Sequence, residues 1–307
     1  MDKDKRGKTL IIKSGKDSFE RYFASRISEL GFKVLFVEQL FNPYAKNRKK
    51  EKNNLKSNLI ELKQNGFFDA IEKVIVFDTF SAIPHIKKVL NKETQLYSYL
   101  WNTIYSFKGV LRSKLNKLFS KVYSFDSAEA KKYKLNYNSQ FYFDQPLSAP
   151  NNDGYVFFIG EDKGRAMEVV SLAKYCEQNN ISYDFTIVGN NLVSEKYSPV
   201  KVGDSFVEYE EVLEKVRSDK CIAILDLVRS GQVGLTIRAM EALFFGKKLI
   251  TNNKSILYSK FYEKDNVFVL GLDDFSKLKE FLITPIKPYN EQAKEYYSFE
   301  NWIERFN

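Results

Sequence analysis

A single histidine, His85, and only two cysteines, Cys176 and Cys221, leave too little imidazole and thiolate for a histidine-rich zinc site. Each cysteine lies among apolar neighbours, so both are expected as buried free thiols and not as a disulfide. Long apolar runs are missing as well. None approaches the roughly 20 residues needed to span a bilayer. The opening MDKDKRGKTLII is charged and has no signal-peptide core, so a cytoplasmic protein is expected. The chain also lacks a full glycine fingerprint after its first apolar run, and a dinucleotide cofactor is therefore not expected.

What is present suits a globular α/β protein. With 307 residues, 44% of them hydrophobic and 28% charged, the chain can fill two domains of about 150 residues, each with its own core. The net charge of +9 is unevenly divided. Residues 1–150 hold 28 Lys and Arg against 15 Asp and Glu, whereas residues 151–307 hold 20 against 24. The basic half suits an anionic partner, and its field alone does not choose among nucleic acid, an anionic membrane surface and a phosphorylated glycolipid. A lysine-rich surface serving only solubility is the plainer alternative.

The apolar run TLIIKSG at 9–15 predicts a strand, followed by a helix from about Asp17 whose apolar face is Phe19, Phe23, Ile27 and Leu30, with Gly31 as its stop. KVLFVEQL at 33–40 predicts a second strand, which makes a Rossmann-like opening. The segment 42–58 carries six Lys and Arg between Lys46 and Lys56 and predicts a solvated loop or a mobile basic arm. KVIVFDTFS predicts a strand that presents Asp78, Thr79 and Ser81 at its carboxyl end, with His85 within one further turn. Residues 96–100 form a strand, 102–119 a basic amphipathic helical segment, and 121–125 a strand ending at Asp126, with Ser127 capping the next helix.

SAPNNDG at 148–154 marks the clearest boundary. Beyond it the pattern restarts: a strand at 154–160, a loop with Gly160, Lys163, Gly164 and Arg165, a helix to Asn180, and a strand at 183–189. The stretch 221–251 then reads as strand, glycine loop, helix and strand. Its loop holds Gly231 and Gly234, and Thr236 precedes the helix. A glycine loop entering a helix N-terminus suits a phosphate. Arg238 and Glu241, three residues apart, share one helix face. An arginine fork can hold a diphosphate and a carboxylate can accept from ribose hydroxyls, although the same spacing also describes an ordinary surface ion pair.

The run GLTIRAMEALFFGKKLIT at 234–251 resembles the donor-binding segment of GT-B glycosyltransferases, especially the bacterial enzymes of lipopolysaccharide and capsular polysaccharide synthesis. LYSYLWNTI at 96–104 and FSKVYSFDSAEAKKYKLNY at 119–137 resemble the N-terminal halves of the same proteins. The resemblance implies two Rossmann-like domains facing a cleft: an acceptor domain at 1–149, a nucleotide-sugar donor domain at 150–290, and a terminal helix at 291–307 that crosses back, anchored by Trp302. It implies a nucleotide-sugar substrate, a glycan or glycolipid acceptor, no metal and no other cofactor. The donor would be held by Gly160, Lys163, Arg165, Gly231, Gly234, Thr236, Arg238 and Glu241, the last on the ribose. Arg238 would also stabilise the leaving diphosphate, and Asp78, then Asp126, with His85 as an outsider, are the candidate bases. Many retaining members carry a second glutamate eight residues before the one matching Glu241. Here that position is Val233, which leans toward inversion.

A nucleotide-sugar epimerase of the same fold is the second reading, but it does not need a basic acceptor half. A nonenzymatic nucleic-acid binder is the third; it leaves the 231–241 stretch without a purpose, and the aromatic residues follow core spacing instead of forming a stacking platform. Nucleic acid is therefore not the expected partner. The basic half leaves room for peripheral contact with the anionic inner face of the plasma membrane.

Overall fold

A computed structural model describes residues 3–104, 112–145, 154–190, 192–203 and 207–307. The chain divides into two compact units, residues 1–138 with 303–307, and residues 139–302. The boundary segment 148–154 and the first half of the 102–119 segment fall largely outside the described residues.

The first unit runs α1 (Lys3–Gly7), β1 (Thr9–Lys13), α2 (Ser18–Glu29), β2 (Lys33–Phe36), α3 (Val37–Leu40), α4 (Arg48–Gln64), β3 (Lys73–Phe77), α5 (Ile83–Ile86), β4 (Gln95–Leu100), α6 (Arg112–Leu118), β5 (Lys121–Ser124), α7 (Ser127–Tyr133) and β6 (Asn136–Tyr137). Its strands form one parallel sheet in the order β2-β1-β3-β4-β5-β6. Every residue of β1 is buried, as expected of a parallel strand covered on both faces. Leu10, Ile12, Val74, Val76, Leu96 and Val122 supply one side of the core.

Three expectations need correction here. The strand predicted over 33–40 stops at Phe36, because Gln39 Oε1 accepts from Phe36 N at 3.0 Å and the chain turns into α3. The basic stretch 42–58 is a loop only as far as Asn47. From Arg48 it is the start of the 17-residue α4, capped by Asn47, whose Oδ1 accepts from Lys50 N at 3.1 Å, and seated on the core by Leu55 and Leu59. The cap of α7 is Asp126 and not Ser127: its Oδ1 accepts from Glu129 N at 3.0 Å.

The second unit runs β7 (Tyr155–Glu161), α8 (Ala166–Gln178), β8 (Tyr183–Val188), α9 (Ser194–Tyr197), β9 (Lys201–Gly203), α10 (Tyr209–Arg217), β10 (Cys221–Asp226), α11 (Ile237–Phe245), β11 (Lys248–Thr251), β12 (Val267–Val269), α12 (Leu278–Ile283), α13 (Glu291–Tyr297) and α14 (Phe299–Glu304). Its parallel sheet has the order β12-β11-β10-β7-β8-β9. Residues 139–145 belong to this unit: Phe141 packs on Phe299 and Trp302, and Tyr142 N donates to Tyr297 O at 2.9 Å. Trp302 is fully buried there. The last five residues belong to the first unit, where the Phe306 ring packs against Tyr97, Tyr99 and Tyr123 and its carbonyl accepts from Lys73 Nζ at 2.7 Å. Cys176 and Cys221 are buried free thiols, and burial pushes each up to about 12.

Each sheet is therefore a doubly wound Rossmann-like layer with a point where strand order reverses. In the first it lies between β1 and β3, and in the second between β7 and β10. The crevice outside the carboxyl ends of such strands is where α/β sheets place their ligands.

Candidate functional site

In the second unit, β10 delivers Asp226 and β7 delivers Gly160 to the reversal point. Asp226 is 3% exposed; burial raises its carboxyl to about 6, against hydrogen bonding by Thr236 and the nearby charges of Arg165 and Arg238. Arg165 closes the gap between the two strands, donating from Nη1 to Leu227 O and from Nε to Glu161 O at 3.3 Å, while its guanidinium stacks over Phe158. A Cβ at Gly160 would stand 2.8 Å from Arg165 Nη2, so a larger residue there would push the guanidinium aside. Lys163 points elsewhere: it sits at φ 45° in the turn capped by Asp162 and pairs with Glu161 at 3.1 Å.

The loop after β10 turns at a glycine and is tied down from behind. Gly231 takes φ +84°, open to glycine without strain, and has nothing within 4 Å of where a Cβ would lie. Asn253 Nδ2 donates to Val233 O at 3.2 Å and Gly234 O at 3.3 Å, and Ser255 Oγ also donates to Val233 O, so the loop is fastened from β11's exit. Thr236 caps α11, accepting from Ala239 N at 3.2 Å, and the first turn of that helix holds no acidic residue. At that cap Thr236 also hydrogen-bonds the Asp226 carboxyl. Gly246, at φ 62°, ends the helix in the left-handed conformation.

Arg238 and Glu241 are paired through Nη1 and Oε2. Their environments differ. The Arg238 side chain is 22% exposed, whereas Glu241 is 0% exposed and its second oxygen accepts from Tyr209 Oη at 2.6 Å. Arg165, Asp226, Thr236 and Arg238 therefore gather at the reversal point, and the exposed Arg229 at the exit of β10 joins them; its charge is felt at Arg165. Arg229 was not expected from the sequence, where it reads as an ordinary loop residue.

The first unit has its own charged cluster at its reversal point. Lys13 ends β1 with 0% exposure, its Nζ 2.6 Å from Glu20 Oε2 and 4.8 Å from the centre of the Trp101 ring. Burial lowers the lysine and raises the glutamate. Asp78 follows β3 in the left-handed region, φ 47°, and accepts from Trp101 N at 3.0 Å and from Asn102 N and Nδ2 at 3.0 and 2.8 Å. Burial nevertheless carries its carboxyl up to about 7, the range of a general base near neutral pH. Asp126 is occupied as a helix cap. His85 is half-buried on α5 beside Lys88, Lys52 and Lys56, and partial burial, then those lysines, lower its pKa. No three His, Cys, Asp or Glu side chains among the described residues are arranged to hold a metal. No helix among the described residues is long and apolar enough to cross a membrane.

No family model matches the chain, and no curated protein matches it by sequence. Solved structures do match by fold. An α-glucosyltransferase in complex with UDP and a 13-mer DNA with a central A:G mismatch superposes with a TM-score of 0.56 at 12% identity, over 95% of this chain and 90% of that one. A glycosyltransferase from Rickettsia africae ESF-5 superposes with a TM-score of 0.52 at 11% identity, over 97% of this chain and 96% of that one. The fold is that of GT-B glycosyltransferases, two Rossmann-like units each with a six-stranded parallel sheet.

Proposed function

We propose that the chain is a metal-independent glycosyltransferase that moves a sugar from a nucleotide-sugar donor to a lipid-linked, lipopolysaccharide or capsular glycan. The observation that carries this reading is the convergence of Arg165, Arg238 and the Thr236-capped N-terminus of α11 at the strand reversal of the second unit. In glycosyl transfer the bond from the anomeric carbon to the diphosphate breaks while an acceptor oxygen attacks. Negative charge builds on the leaving diphosphate, and preorganised cations and helix dipoles stabilise that charge more strongly than water does. Arg238 and Arg165 suit this task, with Gly231, Gly234 and Thr236 shaping the phosphate loop and Gly160 giving Arg165 its room. Lys163, tied to Glu161, has the weakest claim to the donor.

The acceptor hydroxyl must lose a proton. Asp78 is the proposed base, because its carboxyl is carried up to about 7 at the reversal point of the first sheet, while Asp126 is committed to capping α7. The exposed lysines of α4, with Lys88 beside them, suit an anionic acceptor or the anionic inner leaflet that carries it. Neither an epimerase nor a nucleic-acid binder accounts for both features together.

The test is calorimetric titration with UDP, GDP, CMP and ADP in the presence of EDTA, followed by transfer of labelled sugar to phosphorylated glycolipid in vesicles. Selective binding of one nucleotide, then acceptor-dependent release of that nucleotide, is the expected result. Turnover of the nucleotide sugar without any acceptor would favour an epimerase. Failure of all four nucleotides, with salt-sensitive binding to duplex DNA, would replace the reading with nucleic-acid binding.

A further inference from the structure

We infer that Glu241 is a positioning residue that holds Arg238 in place through a buried chain of side chains, and that Arg238 alone of this pair meets the ligand. The inference rests on the reading of this site as a nucleotide site. It assigns Glu241 a different task from the ribose contact that its sequence context implies.

Glu241 is completely buried on α11, and each carboxylate oxygen has a side-chain partner: Oε1 accepts from Tyr209 Oη at 2.6 Å and Oε2 from Arg238 Nη1. Tyr209 is itself buried on α10, and its hydroxyl lies 2.8 Å from that of Tyr142. Burial, then the charge of Glu241, drives the Tyr209 phenol well above its ordinary pKa, so it remains a neutral partner throughout the accessible pH range. Tyr142 is fixed by its backbone. Its N–H donates to Tyr297 O, its carbonyl accepts from Phe299 N, both at 2.9 Å, and its ring packs against Phe244 and Phe245. The order Tyr142, Tyr209, Glu241, Arg238 thus runs from a rigid backbone bridge to the one member that is partly exposed. Each carboxylate oxygen keeps a second lone pair, so it is the complete burial of Glu241, with Tyr209 and Arg238 packed on its two oxygens, that keeps ribose hydroxyls from reaching it. A guanidinium has five N–H donors in a fixed plane, so committing one nitrogen to Glu241 sets the direction of the others.

The test compares wild type with Tyr209→Phe, Glu241→Gln and Arg238→Ala against three ligands: the preferred nucleoside diphosphate, its monophosphate, and the 2′,3′-dideoxy diphosphate. Arg238→Ala should weaken the diphosphate roughly 10- to 100-fold, as expected for charge-assisted hydrogen bonds, and abolish the preference for diphosphate over monophosphate. Tyr209→Phe and Glu241→Gln should erode that same preference by about 3- to 10-fold, the value of one hydrogen bond, although the tyrosine hydroxyl is buried away from any ligand. The penalty for removing the ribose hydroxyls should be unchanged in Glu241→Gln. If that penalty vanishes in Glu241→Gln, the carboxylate touches the ribose and the inference is overturned. It is equally overturned if Tyr209→Phe binds all three ligands like wild type. Should Glu241→Gln not fold, Tyr209→Phe carries the test on its own. Absence of nucleotide binding by the wild-type protein would remove the nucleotide reading itself, a separate and distinguishable failure.

Discussion

Replacing Lys13 with methionine should unfold the first unit more easily in a way that a second substitution repairs. Methionine keeps the length of the side chain and its packing among Phe23, Phe77 and Trp101, which surround the ammonium at 5.9, 5.9 and 4.8 Å, and removes only the charge. Glu20 then loses the partner 2.6 Å from its Oε2. Removing one member of a buried pair typically costs about 3–5 kcal/mol, and because the Glu20 side chain is 18% exposed, the lower end, about 3 kcal/mol, is expected. Lys13→Met with Glu20→Gln leaves no stranded charge and should recover most of that loss, giving a coupling energy of about 2 kcal/mol or more. The protein has two tryptophans, Trp101 in the first unit and Trp302 in the second. In a Trp302→Phe background, urea unfolding followed by fluorescence therefore reports the first unit alone. The sign of the pH dependence is also set. With no counter-charge, the folded Glu20 carboxyl sits further above its unfolded value, so the single variant should approach wild type at pH 4 and fall behind as pH rises toward 7. A single-variant loss below about 1 kcal/mol, or a double variant no more stable than the single, would refute the argument that this pair is a mutually dependent buried couple.

Asp78, carried from 3.8 to about 7, contributes stability that is complete below its unfolded pKa and is lost as pH rises through 7, about 4 kcal/mol in all; the wild-type first unit should therefore weaken over that window relative to Asp78→Asn, as read by unfolding midpoints at pH 4 and 7.5. Asp126→Ala should cost about 1 kcal/mol through the lost α7 cap, while Asp126→Asn, which can still cap, should keep both stability and turnover; loss of turnover in the asparagine variant alone would return Asp126 to the candidate bases. Reversing Lys52, Lys56 and Lys88 to glutamate should weaken binding to vesicles containing anionic lipid by about 1 kcal/mol for each charge neutralised, with the difference fading as salt is raised; salt-independent binding in a flotation assay would count against this surface.

What could be read ahead of the structure follows the range of the forces involved. The 221–251 segment was legible because its signals are local: Gly231 needs its positive φ, Thr236 caps three residues on, and α11 repeats its apolar positions every turn. The two Rossmann-like halves were legible for the same reason, since buried parallel strands read as short apolar runs. Helix α4 was hidden because only Leu55 and Leu59 are fully buried along 17 residues, and six basic residues near its start resemble a solvated loop. The end of β2 was hidden because Glu38 is recruited from afar, accepting from Ser14 Oγ at 2.7 Å and Gly15 N at 2.9 Å on the loop after β1. The charged sites obey the same rule more strictly. Lys13 meets Glu20 only because a strand end faces a helix start, and Glu241 meets Tyr209 across 32 positions. The helix spacing brings Arg238 and Glu241 together, but it says nothing of which one faces solvent. That depends on the α10 phenol behind them, which engages the carboxylate from the interior and leaves the arginine as the partly exposed member of the pair.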